Sequence, residues 1–270
     1  MKRKLKFIMA VALMAVLVLG GCGGEQKNAQ EESADNNFLE DFAKGLEARW
    51  DLSEADEKKE GYDEILVNSQ EYHDMMINYI DAELQTIEKY QNEKFEDSQL
   101  QEIAIKYINL LKQHKECCDY MTVDYDRYLT EYEPIYNERS KIIKELVEDY
   151  GLTVDDKYQD ILNEFLVNSK LVEETEDKES AVKSLVDSIQ FQMVNDDGYG
   201  YKTYQAIVEN TTDIDFETFS VNINLLNGEG VIVESFYDSV TNFGKGVKAQ
   251  LEFSTDKEFA STQVVADWWE

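Results

Sequence analysis

The sequence predicts an α+β protein, in which an antiparallel helical bundle is followed by a β-sandwich. Two observations lead to this prediction. Between residues 37 and 186 the apolar residues recur at spacings of three and four, the period of a helix buried on one face. From residue 187 onward they alternate with polar residues, as in half-buried strands, and short turn signals separate the runs.

The first half of the bundle is expected to contain three helices. The first covers residues 36–49, with Asn36 or Asn37 as its N-cap, and a polar break follows at 53–61. The second covers 62–94, and the third starts at Asp97-Ser98 and packs antiparallel against it. The third helix carries an apolar stripe made of Leu100, Ala104, Tyr107, Leu111, His114, Cys118, Met121 and Tyr125.

The second half of the bundle begins with a helix over residues 124–150. Pro134, the only proline in the chain, leaves a carbonyl without its donor and is expected to kink or divide this helix. Gly151 suits the left-handed position after a helix end, and Thr153 is expected to cap the next helix. A separate short helix is predicted over 177–185.

Six short strands are predicted after the bundle, at residues 189–193, 201–209, 219–225, 231–238, 247–253 and 262–268. Turn signals at 195–198, 227–228 and 242–246 leave only short connections, which favour antiparallel pairing. This pattern is typical of a β-sandwich of about 80 residues. Near the C-terminus, alternation places either Trp268 or Trp269 inward, but not both.

The first 22 residues have the pattern of an export signal. A basic start, Lys2, Arg3, Lys4 and Lys6, precedes 13 apolar residues from Phe7 to Leu19. As a helix these residues would cover only about 20 Å of a hydrocarbon core about 30 Å thick, so they are too short for an ordinary spanning helix.

The sequence Leu19-Gly20-Gly21-Cys22 that ends this run resembles the lipobox of bacterial lipoproteins. The resemblance implies that a diacylglyceryl group is attached to the Cys22 thiol and that cleavage after Gly21 leaves Cys22 as the N-terminus. Two acyl chains give stable membrane attachment. The expected location is therefore the extracytoplasmic face of the cell membrane. The alternative is an ordinary secretory signal whose cleavage site happens to precede a cysteine.

The β-region carries a second resemblance, in the sequences YQAIVENT at 204–211 and FSVNINLLNGEGVIV at 219–233. They are similar to the FxLYD family of small immunoglobulin-like domains of bacterial surface lipoproteins. The helical part is similar to N-terminal regions of Gram-positive lipoproteins that carry such domains. This chain departs from the family pattern at Leu226-Asn227, where Tyr-Asp is usual, and at 242–246, where a proline-glycine turn is usual. The resemblance implies an Ig-like fold and a surface setting, and it brings no catalytic residues.

Four regions are therefore predicted. Residues 1–21 form the signal peptide, 22–36 a polar flexible tether, 37–186 the helical domain and 187–270 the Ig-like domain. The net charge is −31, and it becomes −35 when the cleaved segment takes its four basic residues with it. Such a balance argues against a nucleic-acid partner and favours cationic peptides, cationic wall components or Ca²⁺, unless it only keeps the surface soluble.

No constellation of residues along the chain specifies a reaction. The two histidines, His73 and His114, lie outside any His-Glu-x-x-His pattern, and there is no nucleophile elbow or phosphate-binding glycine loop. His114, Cys117 and Cys118 could supply two ligands to a soft metal, but core packing is the simpler interpretation. Likewise, the acidic loops 195–198 and 213–215 lack EF-hand spacing and suit turns. No catalytic, cofactor or metal residue is predicted.

The functional prediction is a non-catalytic, lipid-anchored surface protein that serves as an interaction, ligand-binding or adhesion module. Its partner would be an envelope protein, a peptide or a glycan. Two alternatives remain open: an accessory lipoprotein that captures a small ligand for transport or sensing, and an envelope hydrolase.

Overall fold

The computed structural model describes residues 34–270. They form five helices followed by six strands, so the predicted α+β layout is confirmed. The predicted signal peptide, with Gly21 and Cys22, lies outside the described residues. The helices are α1 Asp35–Glu57, α2 Gln70–Ile87, α3 Ser98–Cys117, α4 Tyr125–Tyr150 and α5 Gln159–Asp187.

Three of the five helices begin at a residue whose side chain caps them. Ser69, Asp97 and Asp124 accept hydrogen bonds at 2.8–3.3 Å from backbone N–H groups two or three positions later, which satisfies donors that have no partner inside the helix. At the end of α4, Gly151 takes the left-handed conformation (φ +73°), and the next N–H bonds back to the Leu146 carbonyl. The predictions for Asp97-Ser98 and Gly151 are therefore confirmed.

The predicted boundaries of the first two helices are wrong. α1 starts after Ala34 without a side-chain cap and continues to Glu57, through most of the predicted break. A 3₁₀ turn at Tyr62–Glu64 stands where the second helix was expected, and α2 begins only after Ser69. The cause is local. Gly61 is left-handed (φ +85°), which ends the preceding helical backbone, and the Ser69 hydroxyl caps α2 by accepting the Tyr72 N–H at 3.2 Å.

The expected division of α4 and the expected cap of α5 are both wrong. Pro134 lies inside α4 without dividing it, since α4 is one helix of 26 residues. Thr153 caps nothing, because a 3₁₀ turn at Asp156–Tyr158 precedes α5. The predicted short helix over 177–185 is the last part of α5, which is 29 residues long and unbroken.

The acidic middle of α5 is held against α4 by two lysines. Lys141 Nζ donates to Glu176 at 2.6 Å and Lys144 Nζ donates to Glu173 at 3.0 Å. Since no glycine or proline interrupts residues 159–187, nothing in the chain breaks the helix there. The acidic residues in the middle of α5 are therefore part of the solvent-facing stretch of a single helix.

The predicted stripe of α3 forms the centre of the helical core. Every member is buried except Tyr125, which is half-buried. Aromatic side chains from α1 and from the segment before α3 pack edge to face around Phe38, whose ring lies 5.1 Å from that of Tyr90 and 5.6 Å from that of Phe95.

The six strands form two antiparallel three-stranded sheets. The strands are β1 Gln192–Asp196, β2 Lys202–Glu209, β3 Phe216–Leu226, β4 Ile232–Phe243, β5 Lys248–Thr255 and β6 Ser261–Trp269. One sheet has the order β1-β2-β5 and the other β4-β3-β6. Their inner faces share one apolar core, in which alternate residues of β3 from Phe219 to Leu225 are fully buried, as predicted.

The two tryptophans at the end of β6 point in opposite directions, as predicted. Trp269 packs edge to face against the buried Phe216 ring, with the centroids 6.2 Å apart. Trp268 lies on the outer face and is 57% exposed. This difference follows from the alternation of side chains along a strand.

The sandwich is closed differently on its two sides. On one side β4 and β5 are in contact, with the Phe236 and Phe253 rings stacked 5.1 Å apart. On the other side the last turns of α5 insert Val182, Leu185 and Val186 into the β-core. The first turns of the same helix bury Leu162 and Phe165 in the helical core, so α5 belongs to both.

Candidate functional site

A buried ionic cluster lies at the centre of the bundle, with one residue from each of the first four helices. The two Glu83 oxygens accept from Arg139 Nη2 at 3.0 and 3.1 Å, and Arg49 Nη1 donates to Glu83 Oε2 at 3.0 Å. The Tyr107 hydroxyl donates to Glu83 and accepts from Arg139 at 2.9 Å. Glu83, Tyr107 and Arg139 are at most 1% exposed. The cluster therefore ties α1, α2, α3 and α4 together.

The charges of this cluster stabilise one another. Burial alone would raise the pKa of Glu83, but the guanidinium groups of Arg139 and Arg49 outweigh it, so the pKa is lowered and the carboxylate stays ionised. Burial likewise opposes the charge of Arg139, yet the Glu83 carboxylate raises the Arg139 pKa. Because both Glu83 oxygens are engaged by Arg49, Tyr107 and Arg139 within the core, we assign the cluster to folding rather than to substrate contact.

His114 is fully buried next to the cluster and packs against the ring of Tyr132. Its ring lies 4.5 Å from that of Tyr132, and neither ring nitrogen has a hydrogen-bond partner among residues 34–270. Burial lowers its pKa well below the ordinary value, and the positive charges of Arg49 and Arg139 act in the same direction. His114 is therefore a neutral core side chain, in line with its position in the α3 stripe.

In the described part of the chain, His114, Cys117 and Cys118 do not form a metal-binding site, and His73 does not join them. Cys117 and Cys118 are buried free thiols, and Cys117 Sγ donates to the backbone carbonyl of His114 at 3.2 Å. His73 lies elsewhere, beside Asp74 on α2. Within residues 34–270, no three His, Cys, Asp or Glu side chains are grouped as ligands for a metal ion.

The acidic loops considered for calcium are used in turns. Asp197 Oδ1 accepts from the backbone N–H groups of Tyr199 and Tyr201 at 2.7 and 3.1 Å. Asp213 pairs with Lys245, while Asp215 accepts the Lys245 N–H at 2.8 Å. These contacts are those of Asp residues that shape a turn.

Two of the open grooves on the described surface have a largely apolar lining. The first, of about 600 Å³, runs between α3 and α4; its apolar floor includes Leu110, Cys117 and Ile135, and carboxylates such as Glu131 and Glu138 line its rim. The second, of about 420 Å³, runs between the end of α5 and β6. Both volumes fall in the range of small-ligand and peptide sites, and neither groove reaches the buried ionic cluster.

The second groove combines a helix face with the side of a strand. Val182 and Val186 form its helical wall, and the residues from Gln263 to Ala266, together with Trp269, form its strand wall. Charged groups occur only along the helix rim, where Lys183 pairs with Asp187 and Glu179 lies one turn earlier. This groove can bury apolar side chains beside a backbone edge.

Sequence reasoning missed both the ionic cluster and the α5–β6 groove. A signal for the cluster exists, because Glu83 and Arg139 occupy positions in otherwise apolar stripes. The groove has no equivalent signal, since its two walls are formed by segments more than 70 residues apart.

Comparison of the chain with protein-family models, with curated proteins and with solved structures gave no match in any of the three. No helix between residues 34 and 270 is both long and apolar enough to cross a membrane.

Proposed function

We propose that the protein is a lipid-anchored, non-catalytic binding protein of the cell envelope. The observation that carries the proposal is the sequence Leu19-Gly20-Gly21-Cys22 directly after a basic, apolar leader. The two open grooves support the binding role, because both offer an apolar floor with a polar rim, the usual make-up of a ligand site.

The β-domain is proposed to be Ig-like and related to the FxLYD domains. Support comes from two antiparallel sheets that share one core. Further support comes from Asn210, in the segment that carries the resemblance. Its side chain donates to the Ile214 and Phe243 carbonyls at 2.7 and 2.8 Å and accepts from the Thr212 N–H and hydroxyl at 3.0 and 2.7 Å. One asparagine thus fixes the turn between the two sheets.

The anchor would keep the folded part near the membrane without pressing it onto the lipid. The 12 residues between Cys22 and α1 reach at most about 40 Å when fully extended. The net charge of the cleaved chain, −35, opposes close contact with anionic head groups. Along the chain the helical domain follows the tether directly, and the β-domain comes after it.

Mass spectrometry of the N-terminal peptide, from protein expressed with its leader in a Gram-positive host, tests the anchor. We expect wild-type protein in the membrane fraction, cut before Cys22 and carrying a diacylglyceryl mass. The Cys22→Ala variant should be uncut or unlipidated, whereas a Cys117→Ala/Cys118→Ala variant, which removes the other two thiols, should still be lipidated. An unmodified Cys22 in membrane-bound wild-type protein contradicts the proposal.

The non-catalytic part is tested separately with purified peptidoglycan. We expect no soluble product above that given by heat-denatured protein. Release of soluble fragments by the folded protein alone would establish the hydrolase alternative instead.

A further inference from the structure

β6 is an edge strand whose outer side is not used by the sheet. In the sheet order β4-β3-β6 it pairs with β3 alone, antiparallel, from Ser261 to Trp269. The backbone N–H and C=O groups on its other side have no strand partner among residues 34–270. An unpaired edge of this kind is a template for a further strand.

The other three sheet edges are covered by another strand or are short and irregular, whereas β6 is bordered by the end of α5, which leaves a groove beside it. β4 and β5 lie side by side and close one end of the sandwich, where the Glu252 N–H donates to Asp238 at 2.9 Å. β1 has only five residues, and an irregularity between Met193 and Asn195 breaks its register. β6, in contrast, pairs in regular register from Ser261 to Ala266 and is irregular only beyond it.

The groove described above runs along this free edge. Four consecutive β6 residues, 263–266, line it, although only alternate side chains can point toward the same face. The groove therefore follows the backbone of the strand rather than a single side-chain pocket. Val182 and Val186 on α5 bound it from the opposite side but are already buried in the β-core, whereas Val265 on β6 is 45% exposed and offers apolar contact.

We propose that the α5–β6 groove binds an extended, basic segment of a partner protein, which adds to β6 as a fourth strand. Such strand addition derives affinity from main-chain hydrogen bonds and selectivity from alternate side chains. Here every second side chain would pack in the groove beside Val265. The partner would be an envelope protein, and in this respect the inference rests on the proposed function.

Charge selects a basic segment over a second copy of this chain. On the α5 rim Lys183 is paired with Asp187, and Glu179 forms no ion pair with any residue from 34 to 270. The rim thus keeps one uncompensated negative charge. Two mature copies that each carry a net −35 repel one another, whereas a lysine or arginine beside Glu179 would be attracted.

The test is a selection from a display library of eight-residue peptides. The target is the full mature chain, made soluble by Cys22→Ser. We expect peptides with alternating apolar residues and at least one basic residue. When the tightest peptide is bound, hydrogen–deuterium exchange should slow at 261–269 and at 179–187. The same peptide with N-methylated backbone amides should bind at least tenfold more weakly, because it keeps the side chains and loses the donors.

A matched pair of variants on one helix tests the charge. Glu179→Lys should weaken the selected peptide at least threefold, while Glu174→Lys, the same change farther from the groove, should not. The inference is overturned by no enrichment, by protection elsewhere, by equal binding of the N-methylated peptide, or by dimerisation that protects β6 without peptide. These readouts are independent of lipidation, so failure here leaves the anchor proposal standing, and the reverse also holds.

Discussion

The helical domain and the β-domain both bury polar groups, but they use them for different purposes. In the helical domain Glu83, Arg49 and Arg139 meet between four helices far apart in sequence. In the β-domain the buried Asn210 bonds to groups of the turn that follows it and to the end of β4. Charges thus fix how the helices are placed against one another, whereas an uncharged amide fixes a turn.

The largest expected effect comes from breaking the ionic cluster. Glu83→Gln leaves two buried guanidinium groups without their carboxylate and should cost about 3–5 kcal/mol of unfolding free energy. Urea denaturation followed by far-UV circular dichroism measures it. Glu40→Gln, which removes an exposed pair with Lys44, should cost under about 1 kcal/mol. Equal losses for the two variants would show that the cluster is not needed for folding.

The next effect tests whether α5 couples the two domains. Leu185 is 1% exposed in the β-core, and Leu185→Ala should cost about 2–5 kcal/mol. Because α5 also belongs to the helical core, we expect a coincident shift in tryptophan fluorescence and far-UV dichroism. Two separate transitions, with only one of them shifted, would argue that the domains unfold independently. Lys183→Ala, on the exposed face of the same turn, is the control.

A smaller effect is expected in the β-domain. Asn210→Ala removes four hydrogen bonds and leaves the Ile214 and Phe243 carbonyls without this donor, which should cost about 1–3 kcal/mol. Thr211→Ala changes the exposed neighbour and should stay within about 0.5 kcal/mol. Denaturation midpoints measure both variants. If the two substitutions cost the same, Asn210 does not anchor the turn.

The smallest effect is a pH dependence of the unfolding free energy that arises in the helical domain, from His114 on α3. The pKa of His114 is lower in the folded than in the unfolded state, so its contribution is complete above about pH 6.5. Below that pH His114 is protonated in the unfolded chain but stays neutral in the folded chain. The unfolding free energy therefore falls by up to about 1.4 kcal/mol per pH unit. Glu83, whose folded pKa is lowered, acts only at lower pH, below its unfolded value near 4.5.

The variant His114→Phe removes the contribution of His114 protonation to the pH dependence of stability. Between pH 7 and pH 5, a window around the unfolded value of about 6.5, its unfolding free energy should change less than that of wild-type protein. Urea titrations at several pH values provide the comparison. If both proteins lose stability at the same rate, His114 takes up a proton in the folded state.

The sequence allowed prediction of features that depend on neighbouring residues. The α3 stripe, the β3 alternation and the opposite directions of Trp268 and Trp269 all follow from helix or strand periodicity. The unbroken α5 was missed because residues 173–180 contain no apolar residue that would continue a helical stripe. The lysines that support this segment lie on α4, about 30 residues earlier.

The α5–β6 groove could not be predicted from the sequence for a related reason. The sequence predicted the strand over 262–268, but nothing within that strand shows that it pairs on one side only. Nor does it show that residues 182 and 186 lie opposite. Strand order and the packing of α5 are set by contacts between distant segments, on which a local pattern is silent.

The unbroken α5 has a mechanical consequence for a tethered molecule. Its 29 residues make a rod about 44 Å long, with one end seated in each core and no hinge in between. A partner that pulls on the β-domain would load this rod along its length. The pulling force would therefore be transmitted through α5 to the helical bundle. Both domains would then resist unfolding together rather than unfold one after the other.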